Sequence, residues 1–164
     1  MNVIKRSEAI RSGLQKRLRD GTSKLTHWKC FGYDVGPDGE LIINSGEAAI
    51  VRRIFNQYLS GSSLGAIATD LAEKDVLSPA GRSKWNRETL NKLLSNEKYT
   101  GRVVLQKSIS AGGFQTKNDG LMDRYLYTGF HEAIISDEIF RAVQREKLNR
   151  AKNSESTVAV NLTF

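Results

Sequence analysis

Apolar positions along the chain recur with helical spacing in several segments and gather into short runs between them. From Ser7 to Arg19, Ile10, Leu14 and Leu18 fall four residues apart, with Lys16, Arg17 and Arg19 off the stripe and Asp20-Gly21 beyond it. That pattern predicts a basic amphipathic helix. So narrow a stripe needs a covering partner, such as a preceding domain. Gly21 to Thr26 is polar and non-periodic and reads as a linker. Trp28 to Val35 and Leu41 to Ile43 are short apolar runs around Gly36-Pro37-Asp38-Gly39, which predicts a hairpin. Asn44, with Glu47 three residues on, has the side chains of a capping box. The helix it opens buries Ile50, Val51, Ile54, Phe55 and Tyr58, and Gly61 ends it. Ser62 or Ser63 caps a further helix with Leu64, Ile67, Ala68 and Leu71 inward, fading near Lys74-Asp75.

After the loop Ser78-Pro79-Ala80-Gly81, Asn86 is placed to cap a helix and Trp85 to pack on Leu90 as a hydrophobic staple. Leu90, Leu93 and Leu94 then face the core, leaving Arg87, Glu88, Asn91, Lys92 and Ser95 outward. Tyr99 to Lys107 is rich in β-branched residues and predicts a strand. Gly112-Gly113 and Asn118-Asp119-Gly120 predict a long flexible loop, with Arg124 to Thr128 as the returning strand. Ser136 caps a last helix carrying Ile139, Phe140, Val143 and Leu148 inward. Beyond Arg150 the sequence reads as a frayed tail. The pattern assigns residues 1–21 to a linker helix, 22–150 to one folded domain and 151–164 to a flexible tail. The class is α+β, helix-rich and winged-helix-like, with small β-hairpins.

Composition narrows the function classes. With 164 residues, 39% hydrophobic and 26% charged, the chain suits one globular domain. No run of 18 apolar residues exists, so a spanning helix and a membrane partner are not expected. Met1 to Arg6 leads into a charged segment, not an apolar signal core, and the single Cys30 has no disulfide partner within the chain. These features fit a reducing cytoplasm. Cys30, His27 and His131 lack zinc-site spacing, so no metal and no cofactor is expected. No nucleophile elbow joins the serines to a histidine, and no catalytic residue is assigned.

Charge changes the picture more than composition does. The net charge is +7, and it falls in blocks. Met1 to Cys30 carries eight Lys and Arg against Glu8 and Asp20, Phe31 to Ala80 three against seven acids, and Gly81 to Ser110 seven against Glu88 and Glu97. Two basic blocks flanking an acidic one create local positive potential suited to a polyanion.

The two helices 64–74 and 87–96, followed by strands, have the order of a winged helix-turn-helix, in which one helix braces a second that enters a major groove. Arg can bond guanine and Asn can bond adenine bidentately, so Arg87, Asn91 and Lys92 are chemically competent readers. Arg82, Ser83, Lys84 and Thr89 lie near the helix start, where free amides also favour phosphate. Lys16, Arg17, Arg19 and Lys24 offer backbone contacts from the first basic block. The plainer alternatives are that Glu88 and Lys92 form a solvated ion pair, that Asn86 only caps, and that Trp85, Trp28, Phe31 and Tyr33 only pack.

The blocks Phe31-Gly32-Tyr33-Asp34, Glu47-Ala48, Ile50 to Phe55, Trp85, Leu94 to Gly101 and His131 to Ser136 with Phe140 resemble, in order and spacing, the large serine recombinase family. The resemblance covers about Phe31 to Arg150, the family's DNA-binding recombinase domain. It implies a prokaryotic or phage-encoded parent, a double-stranded attachment site as partner, and integration or transposition by a serine that attacks DNA phosphate. The family's catalytic domain would precede Met1 and its zinc ribbon would follow Arg150, so the chain is not expected to be an enzyme alone. It is expected to be a monomer off DNA, with dimers and tetramers formed by the full recombinase. Two other readings compete. One is a stand-alone winged-helix regulator, separated by the reading frame upstream. The other is a domain whose basic surface binds acidic proteins, separated by the salt slope of duplex binding.

Overall fold

The computed structural model describes residues 30–37, 40–105, 108–111, 114–117, 125–128 and 131–161, with isolated positions 12, 13 and 16. Strand β1, Tyr33–Val35, pairs antiparallel with β2, Leu41–Ile43, so that Tyr33 faces Ile43 and Val35 faces Leu41. Helix α1, Ser45–Leu59, follows, then α2, Leu64–Glu73, and α3, Arg87–Leu94. A single 3-10 turn, Glu97–Thr100, leads into β3, Arg102–Leu105. Strands β4, Ser108–Ala111, and β5, Phe114–Lys117, pair with each other, while β6, Tyr125–Thr128, returns to pair antiparallel with β3. Helix α4, Asp137–Asn161, closes the chain. The class is α+β, as the apolar pattern predicts.

The helix ends follow from their capping chemistry. Asn44, Ser63 and Asn86 each accept the N–H three residues on, at 3.1, 3.1 and 2.6 Å. At the end of α1, Ser62 N–H donates to Gln57 O and Gly61 N–H to Tyr58 O, with Gly61 at φ 102. That is a Schellman closure, and it requires a residue tolerant of the left-handed region. The end of α2 closes the same way, Val76 to Leu71 and Asp75 to Ala72, with Asp75 at φ 53. Only half of the expected capping box at Asn44 forms. Asn44 N–H already donates to Gly32 O at 3.0 Å, so the Glu47 carboxylate accepts from Gly32 N–H at 2.7 Å instead. Glu47 thereby ties α1 to the hairpin.

One core joins the hairpin, the helices and the Ile134-Ile135 segment. Tyr33 and Tyr99 stack 6.3 Å apart in it, both essentially inaccessible. Their hydroxyls donate to distant carbonyls, Tyr33 to Glu132 O at 2.8 Å and Tyr99 to Phe31 O at 2.8 Å. Burying both phenols without such partners would leave polar groups unpaired. Burial pushes both hydroxyls well above the ordinary tyrosine range.

The structure departs from the sequence pattern in four places. Within the expected strand 28–35 only Tyr33–Val35 is extended, because Gly32 turns the chain at φ 101, and residues 28–29 lie outside the described set, as do residues 38–39 of the hairpin turn. Tyr99 and Thr100 belong to the 3-10 turn, since Asn96 caps it and Gly101 leaves it at φ 77. The expected flexible loop contains the β4–β5 ladder, with its two-residue Gly112-Gly113 connection outside the described set. Finally, Leu148 is 63% exposed instead of inward, and α4 continues past Arg150 to Asn161 where a tail is expected. Arg150 takes the inward place: its guanidinium donates to Tyr58 O and Ser62 O at 2.8 Å and lies 4.0 Å from the Tyr58 ring centroid.

Two stability effects follow. Asp70 binds α2 to α1, accepting from Lys74, from Gln57 at 2.9 Å and from Arg53 at 3.0 and 3.1 Å. The hydrogen bond from Lys74, then that from Gln57, and the Arg53 charge hold its carboxyl down to about 2. The folded value lies below the unfolded one, so this contribution is present above the unfolded value and is lost as pH falls through about 2. Asp70→Asn should therefore melt below the wild type at pH 7, with the gap closing between about pH 5 and pH 2 in paired thermal melts. A gap independent of pH would show that the carboxylate charge contributes nothing. Trp85, 4% exposed, packs edge-on to Phe31 at 5.6 Å and donates Nε1–H to Val76 O at 2.9 Å. Trp85→Ala should cost about 3–5 kcal/mol in denaturant unfolding, and a cost near zero would place the indole outside the core.

Candidate nucleic-acid interface

The candidate surface begins where α2 ends and runs through α3. α2 and α3 pack on each other, and α3 buries Leu90, Leu93 and Leu94 while presenting Arg87, Glu88, Asn91, Lys92 and Ser95 to solvent. Arg82, Ser83 and Lys84 lie exposed just before the Asn86 cap, and Thr89 is half-buried in the first turn. The loop, the cap and the exposed side of α3 therefore form one continuous polar surface.

Within that surface the cations differ in what already holds them. Lys92 pairs with Glu88 at 2.7 Å, both side chains about three-quarters exposed, which is the solvated ion pair weighed above. The side chains of Arg82, Lys84 and Arg87 have no hydrogen-bond or ion-pair partner among the described residues. Several cations elsewhere are engaged: Arg53 and Lys74 on Asp70, Arg102 and Arg141 on Asp137, Arg150 on Glu146, and Arg52 Nε on Ile134 O, whereas Arg145 on α4 is exposed and has no such partner among the described residues. An unpaired guanidinium or ammonium in water keeps its charge available to an incoming anion, and a paired one must first give up its partner.

Two contacts shape the surface that the sequence pattern did not single out. The Arg87 guanidinium lies over Gly65 in the first turn of α2, where a methyl group at position 65 would stand 3.1 Å from Arg87 Nη2. Lys147, on α4, reaches the last turn of α3, donating to Ser95 Oγ and, at 3.4 Å, to Asn91 O. An ammonium at that end complements the negative pole of the helix. Partial burial pushes the Lys147 amine below its ordinary value. Nothing local in the sequence marks either contact, since Gly65 and Lys147 stand far along the chain from α3.

The remaining candidates divide simply. Lys16 is exposed on helical backbone. Arg17, Arg19, Lys24, His27 and Trp28 lie outside the described residues. His131 is part of the packing, with Nε2 2.6 Å from Lys98 O and its ring edge-on to Tyr33 at 4.9 Å, and burial holds it below the ordinary histidine value. Cys30 is buried, accepts from Asn96 Nδ2 at 3.2 Å, and has its thiol pushed up by burial, away from thiolate reactivity. No group of three His, Cys, Asp or Glu able to hold a metal occurs among the described residues, and none of the described helices is long and apolar enough to cross a membrane.

The fold is similar to that of known proteins. The structure of an LSR–DNA complex is 27% identical over 76% of this chain and 33% of its own, with a TM-score of 0.53. A structure concerning the sequence requirements of the Listeria innocua prophage attP site is also 27% identical, over 84% of this chain and 50% of its own, with a TM-score of 0.55. The chain thus spans between a third and a half of the proteins it resembles in structure. The family model described as Recombinase matches residues 45–150, from the start of α1 through Arg150. With more than half of its residues matched, and with the resemblance to large serine recombinases met in structure, the chain belongs to the Recombinase family.

Proposed function

We propose that this chain is a double-stranded DNA-binding domain of a large serine recombinase, and that it recognises part of an attachment-site half. The observation that carries the reading is the gathering of Arg82, Lys84 and Arg87, whose side chains are all exposed and without a hydrogen-bond or ion-pair partner among the described residues, at the start of α3. The LSR–DNA complex and the attP-site structure support DNA as the partner. Strand exchange itself is proposed to come from parts of the parent recombinase outside this sequence, which spans only 33% and 50% of those two chains. As a chromosome- or phage-DNA protein it would act in the cytoplasm of a prokaryote.

In this account α3 lies in a major groove, with α2 bracing it from behind. Arg82, Ser83, Lys84 and the first-turn amides near Thr89 contact phosphates, which fixes orientation without reading sequence. Arg87 leaves its place over Gly65 to reach a base edge, and Asn91, one turn on, reaches the next. Lys92 exchanges Glu88 for a phosphate. Lys16, Arg17, Arg19 and Lys24 extend the backbone contacts along the duplex, adding to a salt slope of about −0.9 per phosphate contacted.

Base and phosphate contacts respond differently to substitution, and that difference tests the reading. A duplex selected from a random pool by this chain supplies the specific site. Arg87→Ala and Asn91→Ala should each cost about 1–3 kcal/mol on the selected duplex and much less on random DNA. Lys84→Ala should weaken both by about the same factor. Equal losses on both duplexes for Arg87→Ala and Asn91→Ala, with unchanged melting, would remove α3 from base reading.

A further inference from the structure

The stretch that carries Arg82, Ser83 and Lys84 is strung between two anchors, and only one of them is a core residue. On the far side, Trp85 is fixed by its indole bond to Val76 O. On the near side stands Ser78, a buried hydroxyl-bearing residue only 8% exposed. Ser78 holds both backbone groups of Arg82: its N–H donates to Arg82 O at 2.8 Å, and its Oγ accepts from Arg82 N–H at 3.1 Å. Its own carbonyl accepts from Gly81 N–H at 2.7 Å, and Gly81 sits at φ 73, which closes the turn. Pro79 further restricts Ser78 to extended backbone. All the ties that fix residue 82 therefore run through one buried hydroxyl-bearing residue.

We propose that Ser78 is the positioning residue of the phosphate-contacting stretch: it never touches DNA, but it sets the backbone from which Arg82 and Lys84 reach phosphate. The proposal rests on the DNA-binding reading above. Its physical basis is preorganisation, since a loop already held in its bound shape loses less freedom on binding than one that must be ordered by the ligand. Alanine at position 78 keeps the backbone bonds but removes the acceptor for Arg82 N–H, so the loop should loosen while the core beneath it stays intact. Threonine keeps the hydroxyl.

The test is a double-mutant cycle read by duplex binding, with amide hydrogen exchange as a DNA-free readout. Wild type, Ser78→Ala, Ser78→Thr, the pair Arg82→Ala with Lys84→Ala, and the triple variant are compared on a selected and a random duplex. Ser78→Ala should weaken both duplexes by about fivefold, the equivalent of one hydrogen bond, and Ser78→Thr should restore binding. Exchange at the Arg82 amide should quicken in Ser78→Ala without DNA. In the background lacking both cations, Ser78→Ala should cost nothing further. A loss of the same size in both backgrounds would mean that Ser78 acts on the fold as a whole, and unchanged binding by Ser78→Ala would overturn the proposal outright. If the wild type binds neither duplex, the DNA-binding reading fails and takes this one with it.

Discussion

Eight residues make little more than two turns of helix, and a helix that short does not persist in water by itself. α3 exists because Leu90, Leu93 and Leu94 are buried against the rest of the core, at 0%, 6% and 0% exposure. Everything displayed on its other side depends on that burial. The supports are layered: Asn86 satisfies the first turn, Trp85 anchors the entry, and Lys147 completes the last turn from α4. Gln144 adds a bond from α4 to Leu94 O at 2.7 Å. Four polar and aromatic side chains thus hold one short helix at both ends, while three leucines hold its side.

The same economy governs the charges. A chain with net charge +7 repels itself, and the fold offsets this by pairing many of its described cations with nearby carboxylates or carbonyls. Asp70 and Asp137 each gather two cations, and Arg150 caps the end of α1 while stacking on Tyr58. While Arg145 stands apart on α4, three uncommitted side chains, Arg82, Lys84 and Arg87, gather side by side at the start of α3. Charge count along the sequence locates a basic block there, and the fold sharpens the block by neutralising its competitors. The acidic run from Phe31 to Ala80 supplies Asp70, and Glu47 serves the backbone of Gly32, so these two acids of that block act as internal fasteners.

Much of this was legible from residue order. Local chemistry identified the caps Asn44 and Asn86, the stop at Gly61, the inward faces of the first three helices and the outward set on α3, and it narrowed the cap of α2 to Ser62 or Ser63, of which the fold uses Ser63, because each depends on residues within one or two turns. What stayed hidden depends on partners far along the chain. Glu47 has the right spacing for a capping box, yet Gly32 occupies the group it would have bonded. Leu148 has helical spacing but α1 offers a better partner to Arg150, whose guanidinium meets two carbonyls 88 and 92 residues away. The 3-10 turn at Tyr99 was masked by the β-branched residues after it. The β4–β5 ladder was signalled by Gly112-Gly113, a two-residue hairpin connection read as a loop. The surface around α3 was legible as a set of residue types, whereas the place of Arg87 over Gly65 and the reach of Lys147 were not.

The central claim is that the loop 82–84 and α3 form the face that meets DNA. It is tested most directly by following backbone amide resonances of the whole chain while a selected duplex is added. The account predicts shifts concentrated from Arg82 to Ser95, with the Asp70 cluster on Arg53, Gln57 and Lys74 undisturbed. Shifts centred on that cluster, with α3 silent, would contradict it.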